Sequence, residues 1–285
     1  MKYGLLFANF GIYGDVHLLA DLAQQAEEAG WSGVFLMDTL CFEDGPTCDP
    51  WIALAAMAMR TRRIALGLQV AALSRRRPWK LVREAVTLDH LSGGRLILGV
   101  GAGTAYDRGF AAFGEEMDAK KRAAMLDESL EILPGLWSGK PFSFQGEHYH
   151  IDPITFLPPP VQTPGIPLWI GGMELGKGLL GKGLIERAAR FDGVVSFPAD
   201  GTYAKLTPEK IHQLKRLLDQ QRTDSRPFDI IAGGPAFKAV HNQRARTRLQ
   251  AYAEAGATWF MEFIWGVRNL KSVRTSIQQG PPSLS

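Results

Sequence analysis

Residues 64–103 constrain the fold of this chain more than any other stretch. They read Ile64-Ala65-Leu66-Gly67-Leu68-Gln69-Val70, then Ala71-Ala72 and an arginine run, then a segment opened by Pro78, then Leu96-Ile97-Leu98-Gly99-Val100 and Gly101-Ala102-Gly103. The two flanking runs are short and apolar without polar alternation, which suits strands buried on both faces of a parallel sheet. The segment between them carries Leu81, Ala85 and Leu88 on one helical face, reinforced by Val82 and Val86. Pro78 fits a first helical turn, where its missing N–H costs nothing. Gly93-Gly94 stops the helix and permits a left-handed turn into the next strand. The unit is strand–helix–strand with a right-handed crossover.

The rest of the chain repeats this unit. Strands are expected at residues 3–8, 33–37, 168–170, 193–197, 229–232 and 258–264, with helices at 16–29, 118–137, 208–221 and 269–279 among others. Asp49-Pro50 reads as an N-cap followed by the first helical residue. Between residues 141 and 151, Phe142 and Phe144 alternate with polar residues around a turn at Gly146, a β-hairpin signal. Eight strands alternating with helices make an α/β fold, a closed (β/α)8 barrel of parallel strands, with an inserted hairpin before the fifth strand. The 285 residues suffice for one such domain over 1–285, with an insertion at about 104–166.

Composition narrows the function classes. The net charge is only +3 and there is no lysine-rich tail, so a nucleic-acid partner has little support; the 46% of hydrophobic residues is ordinary for a globular protein with a large core. No apolar run reaches the ~18 residues of a membrane span. No secretory leader pattern follows Met1, so the reading is a cytoplasmic protein with Cys41 and Cys48 as free thiols. The six histidines are scattered and no metal-ligand spacing stands out, so no metal is expected.

In this fold the active site lies at the C-terminal ends of the strands. That rule selects Asn9, Asp38, Thr39, Gln69, Ala71, Ala72, Gly101, Gly103, Thr104, Tyr106, Gly171, Gly172, Phe197, Gly233, Gly234, Glu262 and Trp265. The set is rich in glycine and aromatics, which suggests that a bound cofactor carries the reactivity. Gly99-Val100-Gly101-Ala102-Gly103-Thr104 falls short of a dinucleotide fingerprint, because Thr104 stands at the third glycine position. Gly176-Lys177-Gly178-Leu179-Leu180-Gly181-Lys182-Gly183 falls short of a P-loop, because Gly183 replaces the magnesium-binding hydroxyl. Both still let backbone N–H groups approach a phosphate, and both also read as plain turns.

Several motifs carry a resemblance that spans most of the chain. They are Arg75-Arg76-Arg77-Pro78-Trp79-Lys80, Leu88-Asp89-His90-Leu91-Ser92-Gly93-Gly94-Arg95, Leu98-Gly99-Val100-Gly101-Ala102-Gly103, Phe113-Gly114, Leu157-Pro158-Pro159-Pro160-Val161-Gln162 and Leu168-Trp169-Ile170-Gly171-Gly172. In this combination and order the chain resembles the bacterial-luciferase-like family of flavin-dependent oxidoreductases and monooxygenases. The resemblance implies the barrel with its insertion and a cofactor, FMN or the deazaflavin F420, at the C-terminal mouth. It implies that Val70, Ala71 and Ala72 back the ring, at a bulge or non-prolyl cis peptide. It implies that Gly101, Gly103, Thr104, Tyr106, Gly171, Gly172 and Met173 hold the ribityl and phosphate end. The chemistry implied is oxygenation with reduced FMN and O2, or hydride transfer with F420, on a small organic substrate. A flavin reductase supplying reduced flavin and a homodimer belong to the same expectation. Many relatives have Asp-His after the second strand where this chain has Asp38-Thr39, which leaves Asp38 and Glu262 as the acid/base candidates. The alternative reading is a non-catalytic flavin- or phosphate-binding barrel.

Overall fold

The structure is a computed structural model that describes residues 1–41, 45–104, 107–175, 179–180, 182–197, 206–240, 242–266 and 269–283. Strand β1 (Lys2–Phe7) is followed by α1 (Val16–Glu28), β2 (Gly33–Leu36), α2 (Pro50–Arg60), β3 (Ala65–Ala72), α3 (Pro78–Ser92) and β4 (Leu96–Gly101). The chain then forms α4 (Arg108–Ala112), α5 (Ala119–Trp137), β5 (Pro141–Gln145) and β6 (His150–Thr155). It returns through β7 (Leu168–Leu175), β8 (Leu179–Leu180), α6 (Lys182–Ala188) and β9 (Gly193–Phe197). It ends with α7 (Pro208–Gln221), β10 (Asp229–Gly233), α8 (Gln243–Glu254), β11 (Trp259–Ile264) and α9 (Leu270–Gln278).

Eight strands close a parallel barrel in the order β1-β2-β3-β4-β7-β9-β10-β11, with β11 pairing back to β1 and β8 added antiparallel to β7. The expected (β/α)8 barrel is therefore present, and β5-β6 is the expected antiparallel hairpin before the fifth barrel strand. Local signals act as read. The Asp49 carboxylate caps α2 by accepting from Trp51 N–H at 2.9 Å, with Pro50 as the first helical residue. Gly93 ends α3 at φ +68°, in the left-handed region that glycine enters without steric cost. Cys41 and Cys48 are free thiols. Among the described residues no helix is long and apolar enough to cross a membrane.

Two cores sort the strand residues. An outer core, between strands and helices, takes Leu5, Phe7, Val34, Leu36, Leu66, Leu68, Leu98, Val100 and their equivalents. An inner core fills the barrel with Leu6, Phe35, Trp169, Val195, Ile231, Trp259 and Met261. Phe35 stacks on Trp169 at 5.1 Å between centroids, and Trp259 meets Phe35 edge-on at 5.7 Å and Trp169 at 5.4 Å. Three rings in one layer need small neighbours. Gly33 supplies one, since a β-carbon there would lie 2.7 Å from Phe35 and 3.0 Å from Trp259. At the strands' N-terminal ends the Lys2 ammonium lies 5.1 Å from the centre of the Trp259 ring and completes the barrel floor.

The hairpin and the proline segment after it are held by carboxylates. Glu128 of α5 accepts backbone N–H bonds from Glu147 at 2.8 Å, His148 at 3.1 Å and Tyr149 at 2.9 Å, which pins the hairpin turn. Asp89 of α3 is fully buried and accepts from Val161 N–H at 2.8 Å, Gln162 N–H at 3.2 Å and the Gln162 amide at 2.7 Å. His90 reaches the Pro159 carbonyl at 2.8 Å. The proline segment is thus clamped against α3 and the start of β4.

Candidate active site

The mouth is built on the aromatic layer. Above it, Met37, Val70 and Phe263 pack against the inner core but stay partly open. Val70 reaches this position because β3 is irregular. Its register with β4 shifts between Leu68 and Ala71, and the Gln69–Val70 peptide is cis. The irregularity expected there is present. The register shift turns Val70 into the barrel and sends Ala71 to the outer core. Glycines make the space. A β-carbon on Gly171 would lie 2.7 Å from one Val70 methyl, and those on Gly99 and Gly101 would lie 3.2 and 3.4 Å from Val70. The result is a small, apolar, partly open platform.

Gly172 faces the other way. A β-carbon there would meet Leu184 of α6 at 2.9 Å, so only its backbone borders the mouth. Gly103 turns at φ +74° beneath the Phe110 ring of α4, and Thr104 follows it, half-buried. Met173 lies on β7, and Tyr106 lies outside the described residues, as do 176–178 and 181 of the glycine-rich segment.

The two carboxylates read as acid/base candidates both lie away from the platform. Glu262 alternates with Trp259, Met261 and Phe263, which face inward, so its carboxylate lies on the outer side of the wall and accepts from Phe237 N–H at 2.9 Å. Asp38 continues the outward parity of Val34 and Leu36, with its side chain only 3% exposed. It pairs with Arg76 at 2.5 Å, lies 3.5 Å from Arg75 and accepts from Ala72 N–H at 3.1 Å. Arg75 also donates to the Asp38 carbonyl and pairs with Asp107 at 2.6 Å. Burial opposes the charge of Arg76, but the carboxylates of Asp38, Glu84 and Asp49 together outweigh it and hold the guanidinium pKa above its ordinary value.

Arg75 and Asp107 are not among the site residues that the strand-end rule selects from the sequence. The available signal was a carboxylate, Asp38, at the preceding strand exit. Asn9 was selected, and it organises the first loops: its amide donates to the Thr39 carbonyl at 2.7 Å and the Cys48 carbonyl at 2.8 Å. On the rim, Ile12, Leu40 and Trp265 are exposed apolar side chains after β1, β2 and β11, three neighbouring strands. Among the described residues no group of His, Cys, Asp and Glu is arranged to hold a metal ion. A groove of about 290 Å³ between α1 and α2, lined by His17, Asp21, Met59 and Arg60, lies on the outer face of the barrel and has no part in the mouth.

Compared with known families, residues 5–274 match the luciferase-like monooxygenases. The chain belongs to that family. Family resemblance by sequence is 36% identity over 162 residues to an F420-dependent glucose-6-phosphate dehydrogenase of Nakamurella multipartita, covering 54% of this chain and 45% of the relative. The chain thus spans about half the length of the first curated relatives it matches. An uncharacterised Mycobacterium bovis protein is 29% identical over 232 residues, 73% of this chain and 74% of its own. Among solved structures, monooxygenase RslO1 from Streptomyces bottropensis superposes with a TM-score of 0.80 at 20% identity, over 98% of this chain and 97% of its own. The F420-dependent tetrahydromethanopterin reductase of Methanopyrus kandleri gives 0.75 at 15%, over 98% and 96%. At these identities the structural likeness establishes the barrel of this luciferase-like protein, and its family contains flavin- and F420-dependent oxidoreductases and monooxygenases.

Proposed function

We propose that this protein is an oxidoreductase that seats a reduced flavin-type ring, of FMN or F420, on the Val70 platform and acts on a small organic substrate. The observation that carries this reading is the platform itself. A half-open apolar floor of Met37, Val70 and Phe263, bordered by glycines, fits one face of a flat tricyclic ring. When bound, the ring supplies the electrons, as hydride to a substrate or in activating O2 for a monooxygenation. The chain holds the ring over a sealed aromatic layer and limits water below it. The exposed Ile12, Leu40 and Trp265 offer an apolar arc along which an organic substrate approaches. Relatives named for F420 and neighbours that use FMN or F420 support the pair of cofactors considered.

The test is a titration of the purified protein with FMN and F420, each oxidised and reduced, followed by absorbance and fluorescence. Saturable binding of one of them with a perturbed ring spectrum is the expected result. Failure of all four to bind overturns the reading. Binding without faster reoxidation of the reduced cofactor, with O2 or an organic acceptor present, would favour a non-catalytic binding barrel.

A further inference from the structure

We propose that Asp38, Arg75 and Asp107 form a positioning relay. In it Asp38 acts on the reaction through the Ala72 amide and the end of β3, not by carrying a proton. The inference rests on the functional reading above, because it concerns how the platform is held in place.

The relay joins three consecutive strand exits. Asp38 follows β2 and binds Ala72 N–H, at the end of β3, at 3.1 Å. Arg75, three residues past that end, lies between Asp38 at 3.5 Å and Asp107 at 2.6 Å. Asp107 follows β4 and caps α4 by accepting from Gly109 N–H at 2.8 Å. The Arg75 guanidinium also covers the Phe110 ring at 5.3 Å. Phe110 in turn closes over Gly103, where a β-carbon would lie 3.1 Å from that of Ala72. Ser74 adds a second tie from β3 to β4 by donating to the Ala102 carbonyl at 2.8 Å. The network therefore starts and ends at Ala72.

Its charge is balanced, with two carboxylates against the guanidinium groups of Arg75 and Arg76. The Asp38 and Arg75 side chains are 3% and 5% exposed. Buried ion pairs of this kind add little net stability, since desolvation offsets their attraction, but they penalise every other arrangement of the same groups. That property suits the strand next to the platform, where β3 has already lost its regular register with β4. A proton carrier needs a partner in the reacting space. Every bond described for the Asp38 side chain goes to Arg75, Arg76 or Ala72. Among the described residues, Asp107 pairs with Arg75, and Glu84 and Asp49 act on Arg76.

The experiment compares Asp38→Asn, Asp107→Asn and the double variant with the parent protein. Two readouts are used. One is hydrogen exchange at Ala72 and its neighbours without cofactor. The other is the affinity and ring spectrum of bound FMN or F420, with the pH profile of turnover. The relay predicts faster exchange at Ala72 in both single variants, although Asp107 does not touch that amide. It predicts roughly tenfold weaker cofactor binding in each, the scale of one charge-assisted hydrogen bond. It also predicts a double variant much less impaired than the sum, and an unchanged pH profile. Loss of one limb of the pH profile in Asp38→Asn alone, with binding intact, would make Asp38 a proton carrier and overturn the proposal. Lower melting temperatures with unchanged binding, spectrum and Ala72 exchange would make the network purely structural and overturn it too. If the parent binds neither cofactor, the functional reading fails separately. The relay is then decided by exchange at Ala72 in Asp107→Asn, where an unchanged rate refutes it.

Discussion

Val70 and Gly171, on non-adjacent strands of the barrel, occupy a space that holds only one of their side chains: a β-carbon on Gly171 would lie 2.7 Å from a Val70 methyl. Real side-chain carbons do not approach that closely. Gly171→Ala must therefore displace Val70, and overpacking of this sort costs ~1–3 kcal/mol. Val70→Ala removes the obstruction. The expected outcome is a Gly171→Ala variant that melts lower and binds cofactor more weakly, with much of both losses recovered in Val70→Ala/Gly171→Ala. Urea unfolding and a cofactor titration on the four proteins measure the coupling, and simple additivity would contradict the packing described.

Glu27 gives a pH signature. Burial raises its pKa, but N–H bonds from Arg63, Ile64 and Arg62 outweigh that and hold the carboxyl below its ordinary 4.5. A lowered folded-state pKa means stability that is fully present above the unfolded value and lost as pH falls through the folded one. Glu27→Gln should therefore be less stable than the parent at neutral pH. The gap should narrow as pH falls below about 4.5, and urea midpoints across that range provide the check. A gap independent of pH would mean that the carboxylate charge contributes nothing.

Asp89 is the clamp of the proline segment. Asp89→Ala leaves three donors from Val161 and Gln162 without their acceptor. The donors are only part-buried and the Gln162 amide keeps the Leu96 carbonyl at 2.8 Å, so a loss of ~1–3 kcal/mol, the cost of one orphaned buried donor, is expected. Hydrogen exchange should quicken at Val161 and Gln162. Cofactor affinity should change little, because the clamp lies at the opposite end of β4 from the mouth. A stability loss under ~1 kcal/mol would show that water replaces the carboxylate.

The apolar arc predicts a chain-length effect. Straight-chain alcohols, titrated against tryptophan fluorescence, should bind roughly three- to fourfold tighter per added methylene, the usual value of burying one. Leu40→Ser and Trp265→Ala should flatten that dependence. A sugar phosphate that binds better than the longest soluble alcohol would falsify the apolar assignment.

Much of the barrel was legible because its cues are local. Apolar strands of four to eight residues, the Asp49-Pro50 start of α2 and the glycine stop after α3 each act within one turn. The site was less legible because it depends on which way side chains point. Regular alternation would send Val70 outward, opposite to Gln69, and the register shift reverses this. Glu262 sits in a strand apolar on both faces, so hydrophobicity there carries no inward or outward signal. Arg75, Arg76 and Arg77 look alike in sequence, yet only Arg77 is exposed, because Asp38 and Asp107 come from elsewhere in the chain. Asp89-His90 belongs to a motif that carried the family resemblance, and its role in the structure is to hold the proline segment.

The layer of Phe35, Trp169 and Trp259 closes the barrel beneath the platform. Among the described residues the way to that space is from the mouth, so two guests that share the chamber must queue. The deeper one enters first and leaves last. Initial-rate kinetics should therefore show a compulsory order, with the shallower guest's product released before the spent deeper one can be exchanged.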